Sequence, residues 1–228
     1  MSVNQEEVRK ILSEARAVIT NSHVVYTSRK HGSAYINKDA VYPHTMETSR
    51  LCKMIAREFS GDNIDVVIAP AVGGVILSQW TAHHLFSLTG YEALGVYAEK
   101  EVAPIPDPEN KGRVCYVETG NFVIKRGYDK LVAGKQVLVV EDIINTGGSV
   151  KKVIMATRKY GGTIVGVGAL CNRGGITAQD LDIPKLVVLM EVKLDAWDET
   201  DCQLCKDGVP VNMDVGKGRE FLERKRPL

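Results

Sequence analysis

What this chain lacks already narrows its possible roles. Positive and negative charge nearly cancel, with 29 Lys and Arg against 28 Asp and Glu, so no global field draws the protein to nucleic acid or to a membrane surface. Any ligand is therefore recognised locally. No apolar run approaches the length of a membrane span. Residues Met1 to Lys10 carry Glu6, Glu7, Arg9 and Lys10 and no apolar signal core, so a cytoplasmic location is expected. The 5 cysteines are few and odd in number for a chain of 228 residues, which argues against a disulfide framework and for a reducing compartment. No Lys-Ser or Lys-Thr pair follows a glycine loop, and Gly166-Val167-Gly168 lacks the third glycine of a dinucleotide turn. Those two gaps exclude a Walker A nucleotide hydrolase and a Rossmann dehydrogenase. Internal repeats, low-complexity tracts and linkers long enough to separate two domains are also missing, so one large domain with a sizeable core is expected.

What the chain does have is concentrated in Val137 to Ser149. Val137-Leu138-Val139-Val140 is unalternated and rich in β-branched residues, as in a strand buried on both faces of a parallel sheet. Ligands of such sheets bind at the carboxyl ends of the strands, where this one runs into Glu141-Asp142-Ile143-Ile144-Asn145 and then Thr146-Gly147-Gly148-Ser149. The glycine turn opens a helical segment, so its N–H groups and two hydroxyls can converge on a phosphate at a positive helix start. Glu141 and Asp142 would repel that phosphate at close range. They are better suited to sugar hydroxyls or to a phosphate-bound Mg²⁺. Two adjacent carboxylates are costly to desolvate without such a partner. The predicted ligand thus carries phosphate and diol together.

A second glycine turn, Ala69-Pro70-Ala71-Val72-Gly73-Gly74, follows the predicted strand Asp65 to Ala69 and precedes a helix. Two such nests at the ends of different parallel strands suit a ligand with phosphates at both ends. Val72 brings no charge, so main-chain N–H groups and metal would hold the second group.

Around these motifs the pattern alternates. Val8, Ile11, Leu12, Ala15, Val18 and Ile19 mark an amphipathic helix over residues 4–19, and short strands are expected at Val24 to Thr27 and Ala34 to Asn37 around a polar turn. Thr45 is read as the cap of a second helix that Gly61 ends. Then follow helix Gly74 to Leu88, strand Ala93 to Ala98, helix Ser149 to Tyr160, and strands Thr163 to Leu170 and Leu186 to Met190. Strands alternating with helices imply right-handed parallel crossovers. Residues 100–121, with Pro104, Pro106, Pro108 and Gly112, read as a long polar loop carrying or flanked by Lys100, Lys111 and Arg113, placed to fold over an anionic ligand. Cys202-Gln203-Leu204-Cys205 has zinc-ligand spacing, but the remaining cysteines are scattered and the last histidine is His84, so an ordinary turn is the favoured reading.

Taken together, these motifs resemble the type I phosphoribosyltransferases over most of the chain. Residues 139–149 are similar to that family's phosphoribosyl-diphosphate motif, and residues 69–74 to its diphosphate loop. The orotate branch is suggested by Tyr26-Thr27-Ser28 through Tyr35-Ile36-Asn37-Lys38-Asp39-Ala40, by Lys125-Arg126-Gly127-Tyr128 and by Asn172-Arg173. The resemblance implies an α/β fold, a three-layer parallel sheet with a small N-terminal hood, with residues 1–62 as helix and hood, 63–195 as core and 196–228 as extension of a single domain. It implies transfer of phosphoribosyl from 5-phosphoribosyl 1-diphosphate to orotate in pyrimidine synthesis, with Mg²⁺ on the diphosphate and ribose hydroxyls rather than on the protein, and a homodimer.

In that scheme Glu141 and Asp142 fix the ribose hydroxyls, and Lys100 neutralises the departing diphosphate. Ala71, Val72 and Gly73 hold the diphosphate. Thr146, Gly147, Gly148 and Ser149 hold the 5′-phosphate, Ile143 and Ile144 count among the substrate-binding residues, and Asn145 stands at a position that touches the base. Tyr35 and Ile36 meet the base, and Arg173 meets the orotate carboxylate. The chain departs from the family with Ser28-Arg29 for Ser-Gly, Asn145 for a usual threonine, and Ala103 and Ile105 where a lysine and a histidine are common, with Lys111 or Arg113 as the candidates to substitute. The other readings weighed are transfer to xanthine or another purine, and a regulator that senses phosphoribosyl diphosphate without catalysis.

Overall fold

A computed structural model describes residues 5–108, 110 and 112–225. Helix α1 (Gln5–Glu14) is followed by four two-residue strands, β1 (Val18–Ile19), β2 (Val24–Val25), β3 (His31–Gly32) and β4 (Tyr35–Ile36), and then by α2 (Thr45–Phe59). β5 (Val66–Pro70) leads into α3 (Gly74–Thr89), β6 (Leu94–Pro106), β7 (Val114–Val123), α4 (Tyr128–Val132) and β8 (Gln136–Ile144). After these come α5 (Gly148–Lys159), β9 (Thr163–Asn172), α6 (Ala178–Leu181), β10 (Leu186–Glu191), α7 (Gln203–Lys206) and α8 (Gly218–Arg224). The described residues divide into two compact units, one of Thr48–Glu191, the other of Gln5–Glu47 with residues 192–225.

The first unit is built on a sheet of strand order β10-β9-β8-β5-β6-β7, parallel except for the antiparallel pair β6 and β7. The uninterrupted apolar run Val137 to Val140, predicted for two-sided burial, is buried throughout at 0% exposure, and Val66 to Ala69 of the neighbouring strand is equally buried. Val137, Val139 and Val167 pack on one face with Val150, Val153 and Ile154 of α5. On the other face α2 approaches so closely that a Cβ on Gly166 would lie 2.6 Å from Phe59, and one on Gly168 2.4 Å from Ile55. These glycines, which fail as a dinucleotide turn, are the seat of a helix. Sheet and flanking helices thus make three layers, with each fully buried valine or isoleucine stabilising by roughly 1.5–3 kcal/mol.

The second unit contains two small antiparallel sheets, β1 with β4 and β2 with β3. The C-terminal segment is stitched to the hairpin by backbone bonds, Trp197 N–H to His31 O at 2.8 Å, Asn212 N–H to His23 O at 2.8 Å and Lys217 N–H to Val25 O at 2.7 Å.

Three predicted elements differ. The first helix stops at Glu14 because Arg16 adopts a left-handed φ of 53°, and Val18 and Ile19 leave the helical stripe to pair with Ile36 and Tyr35. The turn Ser28 to Ser33 contains strand β3. Residues 100–121 are mostly not a loop: β6 and β7 form a long hairpin with Lys100 opposite Phe122, Pro104 opposite Tyr116 and Pro106 opposite Val114. Only Asp107 to Arg113 connects them. Lys111 lies outside the described residues. Proline suggested a loop, but a two-stranded arm has free edges on which a missing N–H is tolerated.

Candidate functional site

β5 and β8 are neighbours, yet the chain leaves β5 for β6 on one side and reaches β9 and β10 on the other. Strand order therefore reverses between them, and ligands of such sheets bind in the crevice that opens there at the carboxyl ends. Ile68 pairs with Val139, so two residues further along Pro70 is level with Glu141. Both glycine turns thus leave the sheet at the same edge.

The β8 turn surrounds a cavity of about 140 Å³ lined by Glu141, Ile143 to Ser149 and Val150. Gly147 reverses the chain at a φ of 72°, a region closed to most side chains, and α5 starts immediately after it. The first intrahelical bond in this turn runs from Lys151 N–H to Gly147 O, 2.9 Å, so the N–H groups ahead of it point out of the helix end. No acidic residue occupies the first turn of α5. At the helix end itself an anion meets N–H dipoles and the hydroxyls of Thr146 and Ser149, with Glu141 on the cavity wall toward the strand.

Glu141 and Asp142, near the end of the strand, are buried, exposed by 7% and 8%. Each carboxylate accepts a backbone N–H, Glu141 from Asp142 at 3.0 Å and Asp142 from Ile143 at 2.6 Å, which fixes both side chains at the strand end. Behind them, burial first and the Asp142 and Glu191 carboxylates next push the Cys171 thiol up to about 12, so it stays protonated. The oxygen-rich donor set of this edge fits ribose hydroxyls and a hard cation such as Mg²⁺ held by phosphate.

At the β5 turn, the Ala71–Val72 peptide is cis and Val72 is 85% exposed. Ala71 N–H is tied to Ala98 O of β6, 2.8 Å, leaving the rest of the turn facing outward from the sheet edge.

The third piece, following β9, is the turn that holds Arg173. Ile144 of β8 pairs with Asn172 of β9, and the Ile144 carbonyl accepts from both Arg173 N–H at 2.8 Å and Gly174 N–H at 3.2 Å. A Cβ on Gly174 would fall 1.5 Å from Asn145 O; only glycine lets the two turns lie in contact. Buried Asn172 clamps the far side, its amide donating to Ile176 O at 2.9 Å and to Glu191 at 3.1 Å, and its oxygen accepting from Ile176 N–H at 3.1 Å. Reading the sequence found Arg173 but missed Gly174, because a glycine whose role is contact with a distant turn has no local signal.

Of the predicted site residues, the structure gathers Ala71 to Gly73, Glu141 to Ser149 and Arg173 at one sheet edge. Lys100 lies at the base of the β6/β7 arm, paired to Glu118 at 2.9 Å with both side chains 57% exposed. Tyr35 and Ile36 belong to the other compact unit, where their main chain pairs with β1.

Comparison with known proteins places the chain among related sequences and folds. The family model described as a phosphoribosyl transferase domain matches residues 39–201. The orotate phosphoribosyltransferase of Pelotomaculum thermopropionicum is 33% identical over 209 residues, 92% of this chain and 96% of that protein. Its counterpart from Thermotoga maritima is 29% identical over 211 residues, 92% and 98%. Among solved structures, the orotate phosphoribosyltransferase of Aeropyrum pernix superposes with a TM-score of 0.54 at 24% identity, covering 88% of this chain and 98% of that one. That of Mycobacterium tuberculosis in complex with 5-phospho-alpha-D-ribosyl 1-diphosphate gives a TM-score of 0.55 at 17% identity, covering 82% and 95%. Both structural matches concern the fold.

Proposed function

The chain belongs to the phosphoribosyl transferase family, and from that premise we propose that it transfers phosphoribosyl from 5-phosphoribosyl 1-diphosphate to orotate, giving orotidine 5′-phosphate and diphosphate. The observation that carries the choice of base is the position of Arg173, whose turn is bonded to the end of β8 and packed on Asn145. An arginine beside the sugar-phosphate turn offers a planar carboxylate a two-pronged, charge-assisted contact. Relatives about 30% identical over most of their length carry the orotate name, which supports the same reading.

In this reaction the bond from the anomeric carbon to diphosphate breaks as the bond to the base nitrogen forms, and positive charge builds on the ribose ring. Glu141 and Asp142, held by their backbone N–H contacts, fix the ribose hydroxyls and favour that charge, with no nucleophilic role. Residues Thr146 to Ser149 hold the 5′-phosphate, and Ala71 to Gly73 present main chain to the diphosphate. No side chain here is assigned as a direct ligand of Mg²⁺; carried in by the diphosphate, the ion would supply neutralisation of the leaving group, beside the oxygen donors of Glu141 and Asp142. Lys100 serves the same end from the arm, which requires it to exchange Glu118 for the diphosphate. The family resemblance extends this reading to a homodimer, which light scattering tests.

Purified protein incubated with phosphoribosyl diphosphate, Mg²⁺ and a panel of orotate, uracil, xanthine and hypoxanthine decides the assignment. Consumption of orotate with equimolar diphosphate release is the expected result. Use of a purine in its place moves the activity to another branch of the family, and consumption of no base removes the catalytic reading.

A further inference from the structure

Outside the sheet edge, one cluster among the described residues has the composition and geometry of a metal centre. His23 directly precedes β2 and His31 lies in β3 opposite Val25, two positions from His23, so the hairpin register puts the two imidazoles on the same face of the ribbon. Cys202 and Cys205 stand at the start and within the single turn of α7, three positions apart. One ligand atom from each of the four residues lies within 4.8 Å of every other. His23 Nε2 is 2.8 Å from His31 Nδ1 and 3.6 Å from both sulfurs, and Cys205 Sγ is 3.4 Å from His31 Nδ1. With metal–nitrogen bonds of about 2.0–2.1 Å and metal–sulfur bonds of about 2.3 Å, the edges of a tetrahedron come to roughly 3.3–3.8 Å. These three nitrogen–sulfur distances already match that figure, and the imidazole pair must part slightly.

We infer that His23, His31, Cys202 and Cys205 form a structural zinc site that ties the N-terminal hairpin to the C-terminal segment. Three further features support it. His23, His31 and Cys202 are buried, and two thiolates with two neutral imidazoles cancel the dication, so the loaded site buries no net charge. His23 Nδ1 bonds Val209 O at 2.7 Å, which fixes the tautomer with Nε2 bare and aimed at the cluster, the usual outer contact of a metal-ligating histidine. The His31 ring is held edge-on against Phe221, 4.8 Å between centroids. Two nitrogens and two sulfurs in tetrahedral array select zinc over octahedral oxygen-seeking ions such as Mg²⁺, and four protein ligands leave no open position for catalysis. Both thiols release their protons on binding. The ligands come from residues 8 and about 180 positions apart, so the metal closes a loop that spans most of the chain.

The test is metal analysis of the full chain, purified under reducing conditions without chelator. About one zinc per chain is expected, freed when an organomercurial blocks the thiols. Cys205→Ser should hold less than about a tenth of that, Cys205→His should regain it because it restores a ligand, and Cys115→Ser should leave it unchanged. Cobalt substituted for zinc should show the intense sulfur-to-metal charge-transfer absorption and tetrahedral ligand-field bands of a thiolate site. That spectrum tests the site in the unaltered chain even if Cys205→Ser does not fold. The inference falls if the protein neither carries nor takes up zinc and binds cobalt without those bands. It falls equally if Cys205→Ser keeps its full zinc, or if Cys202 and Cys205 are recovered as a disulfide.

Discussion

At the residue scale, Asp142 and Arg173 stand at one sheet edge with opposite assignments, so they give opposite kinetic signatures. Asp142 is held by Ile143 N–H, and the role proposed for it is to answer charge that appears only in the transition state. Asp142→Asn should keep the melting temperature and the binding of phosphoribosyl diphosphate while lowering kcat by about 100-fold or more. Steady-state kinetics and a titration with the diphosphate substrate check both halves, and an unchanged kcat refutes the role. Arg173→Ala should instead raise KM for orotate by the loss of a charge-assisted pair, roughly 1.5–3 kcal/mol, with phosphoribosyl diphosphate binding nearly unaltered. Uracil, which has no carboxylate, should be a poor substrate for both proteins. Orotate kinetics that ignore the substitution would leave Arg173 a surface charge.

At the element scale, the contact between two turns and the arm of β6 and β7 make separate predictions. The site depends on the β9 turn lying against the β8 turn, and a Cβ on Gly174 would meet Asn145 O at 1.5 Å, backbone that cannot swing aside. Gly174→Ala should therefore displace residues 145–149, weaken phosphoribosyl diphosphate binding and destabilise the fold by about 1–3 kcal/mol, measured by calorimetric titration and denaturant unfolding. On the arm, Lys100 and Glu118 are both 57% exposed, and such a pair contributes at most about 1 kcal/mol. Lys100→Ala should leave the melting temperature within a few degrees yet lower kcat, whereas Glu118→Gln, which releases the lysine, should not lower it. A Lys100→Ala enzyme with full kcat would make this pair a strut of the hairpin and nothing more. These are findings that periodicity did not reach: prolines at 104 and 106 made the arm read as a loop, because strand pairing between β6 and β7 is a contact between segments and not a local preference.

At the scale of the whole molecule, burial divides the first unit into a rigid centre and a soft margin. β5, β8 and β9 are paired on both sides, and Val66 to Ala69 and Val137 to Val140 are wholly buried, whereas β7 is an edge strand exposed along most of its length. Amide exchange should be slowest in those three central strands and fastest, within the sheet, in β7 and the outer half of β6; a protected arm would contradict this. The parallel α/β plan, the two carboxylates and both glycine turns could be read from the chain alone. Two-sided burial demands unbroken apolar runs, and phosphate at a helix start demands small residues in a row, so these features leave consecutive signals. Other features had no such signal. The end of the first helix at Arg16, the seat of α2 on Gly166 and Gly168, the packing of Gly174 on Asn145, and the meeting of His23 and His31 with Cys202 and Cys205 each depend on residues brought together from separate segments. Whether a glycine is a turn or a seat, or a Cys pair a bend or half a metal site, is set by what lies across from it, and only the folded chain supplies that neighbour.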